Sequence, residues 1–166
     1  MASPVNIFWF RRDLRLNDNH GLYNALKSGK PVVPIFIFDR NILDKLDNRS
    51  DARVEFIHQQ LSAIQAELVA KGSTLHVFYG KPEEAFATLL KTYQVAEVFT
   101  NTDYEPYATQ RDTTIAELLS NHAIGFHAFK DQVIFEKKEV VKDDGLPYTV
   151  FTPYSRRWKA LWEQHP

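Results

Sequence analysis

The sequence predicts an α/β fold, a doubly wound five-stranded parallel sheet with helices on both faces. Three observations carry that expectation. Short runs of aromatic and branched residues alternate with longer helix-period stretches from residue 5 to residue 129. The runs are apolar on both faces, as strands covered by helices on each side must be. The 166 residues are 44% apolar and 25% charged, which gives one domain a real core and argues against disorder.

The elements follow in order. Val5-Asn6-Ile7-Phe8-Trp9-Phe10 reads as a buried strand. Residues 18–28 read as a helix, capped by Asp18 or Asn19 and closed near Gly29. Residues 31–38 form a second strand. Ser50-Asp51 then caps a long helix ending at Lys71-Gly72. Its positions Val54, Ile57, Leu61, Ile64 and Leu68 alternate spacings of three and four and make one stripe. Thr74–Tyr79 is a third strand, and Pro82–Tyr93 a helix with proline at a tolerated first-turn position. Ala96–Thr100 is strand four, Pro106–His122 a helix buried through Ile115, Leu118 and Leu119, and Ile124–Phe129 strand five. After Lys130 the alternation stops. Asp143-Asp144-Gly145 signals a turn, and Pro153–Trp162 reads as a helix. The expected organisation is therefore a domain over 1–130 and a connecting segment over 131–166.

Composition removes whole classes of chemistry. With 20 Lys and Arg against 21 Asp and Glu, the formal net charge of −1 gives no electrostatic footprint for non-specific nucleic-acid binding. There are no cysteines, so disulfides, thiolate nucleophiles and Cys-ligated metals are out, and a cytoplasmic location is the simpler expectation. The longest apolar run, Val32–Phe38, is far too short to cross a membrane. No basic region precedes Val5, so no signal peptide is expected. The histidines His20, His58, His76, His122, His127 and His165 form no close pair at metal-ligand spacing, so no metal is expected. No Gly-x-Ser-x-Gly elbow occurs, and no catalytic residue is predicted in this chain.

A doubly wound sheet binds ligands beyond the carboxyl ends of its strands, where strand order reverses. The loop after strand one is Arg11-Arg12-Asp13-Leu14-Arg15, without the glycines of a dinucleotide fingerprint. Gly29-Lys30 and Gly80-Lys81 imitate half a P-loop, but Asn24 and Leu75 stand where its first glycine belongs. The loop after strand four is Asn101-Thr102-Asp103-Tyr104-Glu105-Pro106-Tyr107. With strands one and four as neighbours, one loop supplies guanidinium donors and the other carboxylates and aromatic faces. That set suits a flat, conjugated ligand with a polar edge. The same residues also suit a structural part: Arg and Asp in one turn pair and hold the loop, Arg111-Asp112 bridges, and Tyr104 and Tyr107 cap the core.

Three segments carry a family likeness. Phe8-Trp9-Phe10-Arg11-Arg12-Asp13-Leu14-Arg15-Leu16 with Asp18-Asn19, then Asp103–Tyr107 with Arg111-Asp112, then Tyr148–Tyr154 with Trp158, closely resemble the photolyase/cryptochrome proteins. The order and spacing cover the whole chain. The resemblance implies the Rossmann-like N-terminal domain of a deoxyribodipyrimidine photolyase, a carbon–carbon lyase that repairs UV-induced pyrimidine dimers by light-driven electron transfer from FAD. In that family this domain holds a light-harvesting antenna, while FAD and the damaged DNA bind a helical C-terminal domain. Ending at Pro166, the chain is expected to lack that domain and not to repair DNA alone. Its partners are then its own FAD domain and, through the parent protein, UV-damaged DNA; the aromatic tail around Trp158 and Trp162 is an expected contact for the former. A signalling cryptochrome, a scaffold without antenna and a stand-alone nucleotide-binding module are the alternatives.

Deazaflavin or flavin is the expected antenna rather than methenyltetrahydrofolate. Folate-binding relatives place an acid shortly after the position of Tyr107, and Ala108-Thr109-Gln110 offers none. By the same likeness Arg12, Asp13, Asp103 and Glu105 are the expected polar contacts, with Phe36, Phe38 and Arg53 beside them.

Overall fold

The computed structural model describes residues 3–48 and 50–164, which leaves His165 outside the described residues. The chain divides into two compact units, residues 1–132 and 133–166. The first unit runs β1 (Val5–Phe10), α1 (His20–Lys27), β2 (Val32–Asp39), α2 (Arg40–Leu43), α3 (Ala52–Ala70), β3 (His76–Gly80), α4 (Pro82–Thr92), β4 (Val95–Asn101), α5 (Pro106–Ser120) and β5 (Gly125–Phe129). The strands form one all-parallel sheet in the order β3-β2-β1-β4-β5. β1 lies at the centre, in register with β2 through Trp9↔Ile35 and with β4 through Trp9↔Thr100.

Alternation along the strands makes two cores. Ile7, Trp9, Ile35, Ile37 and Val98 face Phe86 and Leu89 of α4 and Ile115 and Leu119 of α5. Phe8, Phe10, Phe36 and Phe99 face Leu22 and Ala25 of α1 and Leu61, Ile64 and Leu68 of α3. Ile7, Phe8, Trp9 and Phe10 are each at most 2% exposed, so successive residues of β1 all sit in core. At about 1.5–3 kcal/mol per fully buried large side chain, that one strand anchors both layers.

Boundaries move by one or two residues for visible reasons. α1 opens at Asn19, whose side chain accepts from the Leu22 N–H, and not at Asp18. β3 starts at His76 and not Thr74, because Gln65 of α3 takes the Leu75 N–H at 2.7 Å and bonds the Thr74 hydroxyl. α2 has no counterpart among the expected elements. It is a single turn capped by Asp39, which accepts from the Asn41 N–H at 2.9 Å.

α1 lies so close to β4 that position 21 admits only glycine. A Cβ there would stand 2.6 Å from Asn101 Oδ1 and 3.0 Å from both Phe8 and the Thr100 carbonyl oxygen. Backbone cannot retreat as a long side chain does, so Gly21→Ala is expected to destabilise the domain by about 1–3 kcal/mol. Chemical denaturation checks this; a change below about 0.5 kcal/mol would show that α1 shifts freely.

The second unit opens with irregular chain. Its expected turn is present: Gly145, at φ +78°, donates to the Lys142 carbonyl, and Leu146 donates to Asp144. α6 (Phe151–Gln164) begins two residues before Pro153, which sits in the first turn where its missing N–H costs no helical bond. Trp158 and Trp162 stack at 6.0 Å, and Phe135 meets Trp158 edge-on at 5.4 Å. Phe151, Tyr154 and Trp162 stay exposed. No helix among the described residues is long and apolar enough to cross a membrane.

Candidate functional site: a crevice at the strand reversal

β1 runs to β2 and β3 on one side and meets β4 on the other, so strand order reverses between β1 and β4. A cavity of about 220 Å³ opens there, over the carboxyl ends of β1 and β2. Trp9, Phe36, Ile37, Phe38 and Ile57 give it apolar walls, and Ile42 and Leu43 of α2 close one side. Arg12, Asp103 and Glu105 form a polar rim, with Arg11, Arg111 and Asp39 lining the remainder. Strand residues of both parities contribute, as a cavity across strand ends requires. Phe36 and Phe38 meet edge-on at 5.0 Å.

The rim is an ion pair spanning the two loops. Arg12 Nη1 donates to Glu105 Oε1 at 2.7 Å and lies 3.6 Å from Asp103. Arg12 and Glu105 are 58% and 66% exposed, so the bridge is worth about 0.2–1 kcal/mol and opens readily. The cavity is somewhat below the roughly 300–1,000 Å³ of small-molecule pockets, and the exposed bridge lies at its rim.

Beneath the rim lies a buried ionic layer. Both Nη1 contacts of Arg11 go to the Asp112 carboxylate, at 2.5 and 2.6 Å, and Arg11 Nη2 donates to the Asn101 carbonyl. Arg111 donates to the same carboxylate at 3.1 and 3.2 Å. Both guanidiniums lie near the Trp9 ring, 5.1 and 4.9 Å from its centroid. Burial pulls Arg11 below its ordinary pKa, and Asp112 pulls it back. Arg11 Nε is buried without a hydrogen-bond partner.

Five of the seven sequence-derived site residues meet at this crevice: Arg12, Phe36, Phe38, Asp103 and Glu105. Asp13 does not line it. Its Oδ2 accepts from Asn101 at 2.6 Å and Asn19 at 3.2 Å, while Oδ1 accepts the Arg11 N–H at 2.8 Å, so it is 7% exposed and ties β1, α1 and β4 together. Arg53 is spent on its own helix cap. It grips Asp51 at 2.6 Å, and those bonds draw the Asp51 carboxyl down to about 2. Its side chain borders a neighbouring groove with Leu14 and Phe56.

Asp39 and Tyr107 form a second loop-to-loop link. The Tyr107 hydroxyl donates to Asp39 and accepts from Asn41 Nδ2 at 3.1 Å. Burial, then the Asp39 carboxylate, push the Tyr107 hydroxyl up to about 12. A folded-state value above the ordinary 10 means the proton is held more tightly when folded. The stability this adds is full below about pH 10 and is lost as pH rises through about 12. One of the seven tyrosines is therefore expected to ionise late in an ultraviolet absorbance titration, and Tyr107→Phe to remove that late step. Seven tyrosines titrating together in the wild type would refute the link.

Sequence reasoning passed over Trp9, Asp39, Ile42, Leu43 and Ile57 as site residues. The one available signal was Asp39 standing three and four residues before Ile42 and Leu43, a cap followed by apolar positions.

Among the described residues no group of three or more His, Asp or Glu could hold a metal ion. The fold and crevice together define a class: a Rossmann-like domain with an apolar-walled, polar-rimmed crevice at its topological switch. The chain belongs to the DNA photolyase family, whose sequence profile matches residues 6–166, and it corresponds to the N-terminal photolyase domain. An uncharacterized 31.6 kDa protein of Synechococcus sp. (strain PCC 6716) is 36% identical over 166 residues, all of this chain and 58% of that protein. The deoxyribodipyrimidine photo-lyase of Synechococcus sp. (strain PCC 6301) is 33% identical over 160 residues, 96% of this chain and 33% of that one. Among solved structures, a bacterial class III photolyase from Agrobacterium tumefaciens superposes with a TM-score of 0.83 at 28% identity, covering 98% of this chain and 32% of its own. An archaeal photolyase from Sulfolobus tokodaii, described with two FAD molecules and the implication of a novel light-harvesting cofactor, gives 0.72 at 34% identity over 80% of this chain and 32% of that one. The chain thus spans about one third of the photolyases it matches.

Proposed function

We propose that this domain binds a flat, conjugated antenna chromophore, a deazaflavin or flavin in preference to methenyltetrahydrofolate, in the crevice between the loops after β1 and β4. The observation that carries the reading is the convergence of Arg12, Asp103, Glu105, Phe36 and Phe38 on one cavity at the strand reversal. The residues fit such a ring. Phe36, Phe38 and Ile57 offer apolar faces, and Asp103 and Glu105 accept from ring or sugar donors. Arg12, freed from Glu105, meets an acidic tail, and the unpaired Arg11 Nε is a donor without an acceptor. The light-harvesting cofactor implied for the Sulfolobus tokodaii relative supports the same reading.

When bound, the chromophore would supply absorption and transfer of excitation. The protein's own task is rigid placement and exclusion of water, which needs no residue with a shifted pKa. In a parent photolyase, FAD and UV-damaged DNA would be the partners of a further C-terminal domain, and electron transfer from FAD would do the repair.

The test is a parallel titration with deazariboflavin, FMN, FAD and methenyltetrahydrofolate, followed by ligand fluorescence anisotropy. Saturable binding of a deazaflavin or flavin is expected, with folate bound more weakly. Absence of binding by all four would refute an antenna pocket within this chain.

A further inference from the structure

Trp9 stands in an unusual place for a tryptophan beside a light-absorbing ligand. It lines the crevice, yet is only 2% exposed. Its indole is the most readily oxidised side chain in the cavity wall. Next to an excited oxidised isoalloxazine-type ring, an unguarded indole gives up one electron, producing an indole radical cation and a ring reduced by one electron. Return of that electron restores both partners, so nothing is consumed and the excitation is lost as heat. An antenna built around such a donor would be dark.

We infer that Arg11 and Arg111 hold Trp9 silent as an electron donor toward a ring bound in the crevice. The inference rests on the proposed occupant and on three features of the chain itself. The two guanidiniums lie 5.1 and 4.9 Å from the indole centroid, both within cation–π range. Asp112 is the carboxylate that bridges both, and Asp13 acts on Arg11 only as a further, weaker charge. They are 9% and 8% exposed, so solvent and salt screen them weakly. Neither Asp13, held by Asn101 and Asn19, nor Asp39, bonded to Tyr107, accepts from either guanidinium, so the two cations are the charges set against the indole face. In its neutral form the indole attracts both cations. Oxidation would turn that attraction into repulsion and raise the energy of the indole radical cation.

The experiment is time-resolved fluorescence of riboflavin and deazariboflavin at saturation, so that only bound ligand is compared, with affinity measured separately by equilibrium dialysis. Trp9→Phe is expected to leave the bound lifetime as in the wild type, since Trp9 is already silent. Arg111→Lys, which keeps a cation, is expected to hold the lifetime. Arg111→Met is expected to shorten it on the order of tenfold, as loss of one charge at this distance lowers the electron-transfer barrier. Trp9→Phe/Arg111→Met is expected to restore it. A longer lifetime in Trp9→Phe than in the wild type overturns the inference, and so does an unchanged lifetime in folded Arg111→Met. If Arg111→Met does not fold, Arg111→Gln supplies the uncharged comparison, with the same shortened lifetime expected and an unchanged one overturning the inference. Binding with a lengthened Trp9→Phe lifetime defeats this inference and leaves the crevice reading standing; absence of binding defeats both.

Discussion

Asp112→Ala is expected to cost about 3–5 kcal/mol, the largest loss from any single polar substitution in the domain. The reason is arithmetic of charge in a dry place. Arg11 and Arg111, with side chains 6% and 7% exposed, share that one carboxylate, and its removal leaves two buried cations facing each other. In a chain of 166 residues such a loss lowers the thermal midpoint by about 10 °C. Asp112→Asn keeps an acceptor and is expected to fall between the wild type and alanine. Calorimetry on the three proteins checks the order. A drop below about 1 kcal/mol for alanine would mean that water reaches the guanidiniums and that the layer is not buried in solution.

The second large effect concerns binding and not folding. Replacing Asp103 and Glu105 together by alanine is expected to weaken deazaflavin or flavin binding on the order of a hundredfold, from the loss of two charge-assisted acceptors. Stability should move by no more than about 1 kcal/mol, because Glu105 is exposed and Asp103 contributes one long 3.3 Å bond to the Glu105 N–H. Titration and thermal melts on the same preparation separate the two. Wild-type affinity in the double variant would remove these carboxylates from the site.

Much of this architecture was legible in the sequence because parallel sheets buried on both faces write themselves as unbroken apolar runs. β1 is the clear case: Ile7, Phe8, Trp9 and Phe10 are consecutive and all buried. The crevice followed from that order, since facing loops after β1 and β4 are a property of topology. What could not be read was how polar groups divide between ligand and scaffold. Asp13 and Asp103 are alike in composition and context, yet Asp13 is held by Asn19 and Asn101 and Asp103 faces the cavity. That difference depends on Asn101, 88 residues away from Asp13. The Tyr107–Asp39 link spans 68 residues and was equally hidden. α2 was missed because four residues carry too little periodicity to register.

The central place of β1 has a consequence for how the molecule is made. Its contacts with β4 join residues about 90 positions apart, as in the bond from Arg11 to the Asn101 carbonyl. A growing polypeptide therefore completes β1, β2 and β3 while one side of β1 still lacks its neighbour. For several seconds, at about 5–20 residues per second of synthesis, the strand destined for the deepest burial presents an unpaired margin. That interval is when self-association competes with folding. The crevice is assembled only when β4 arrives to end it.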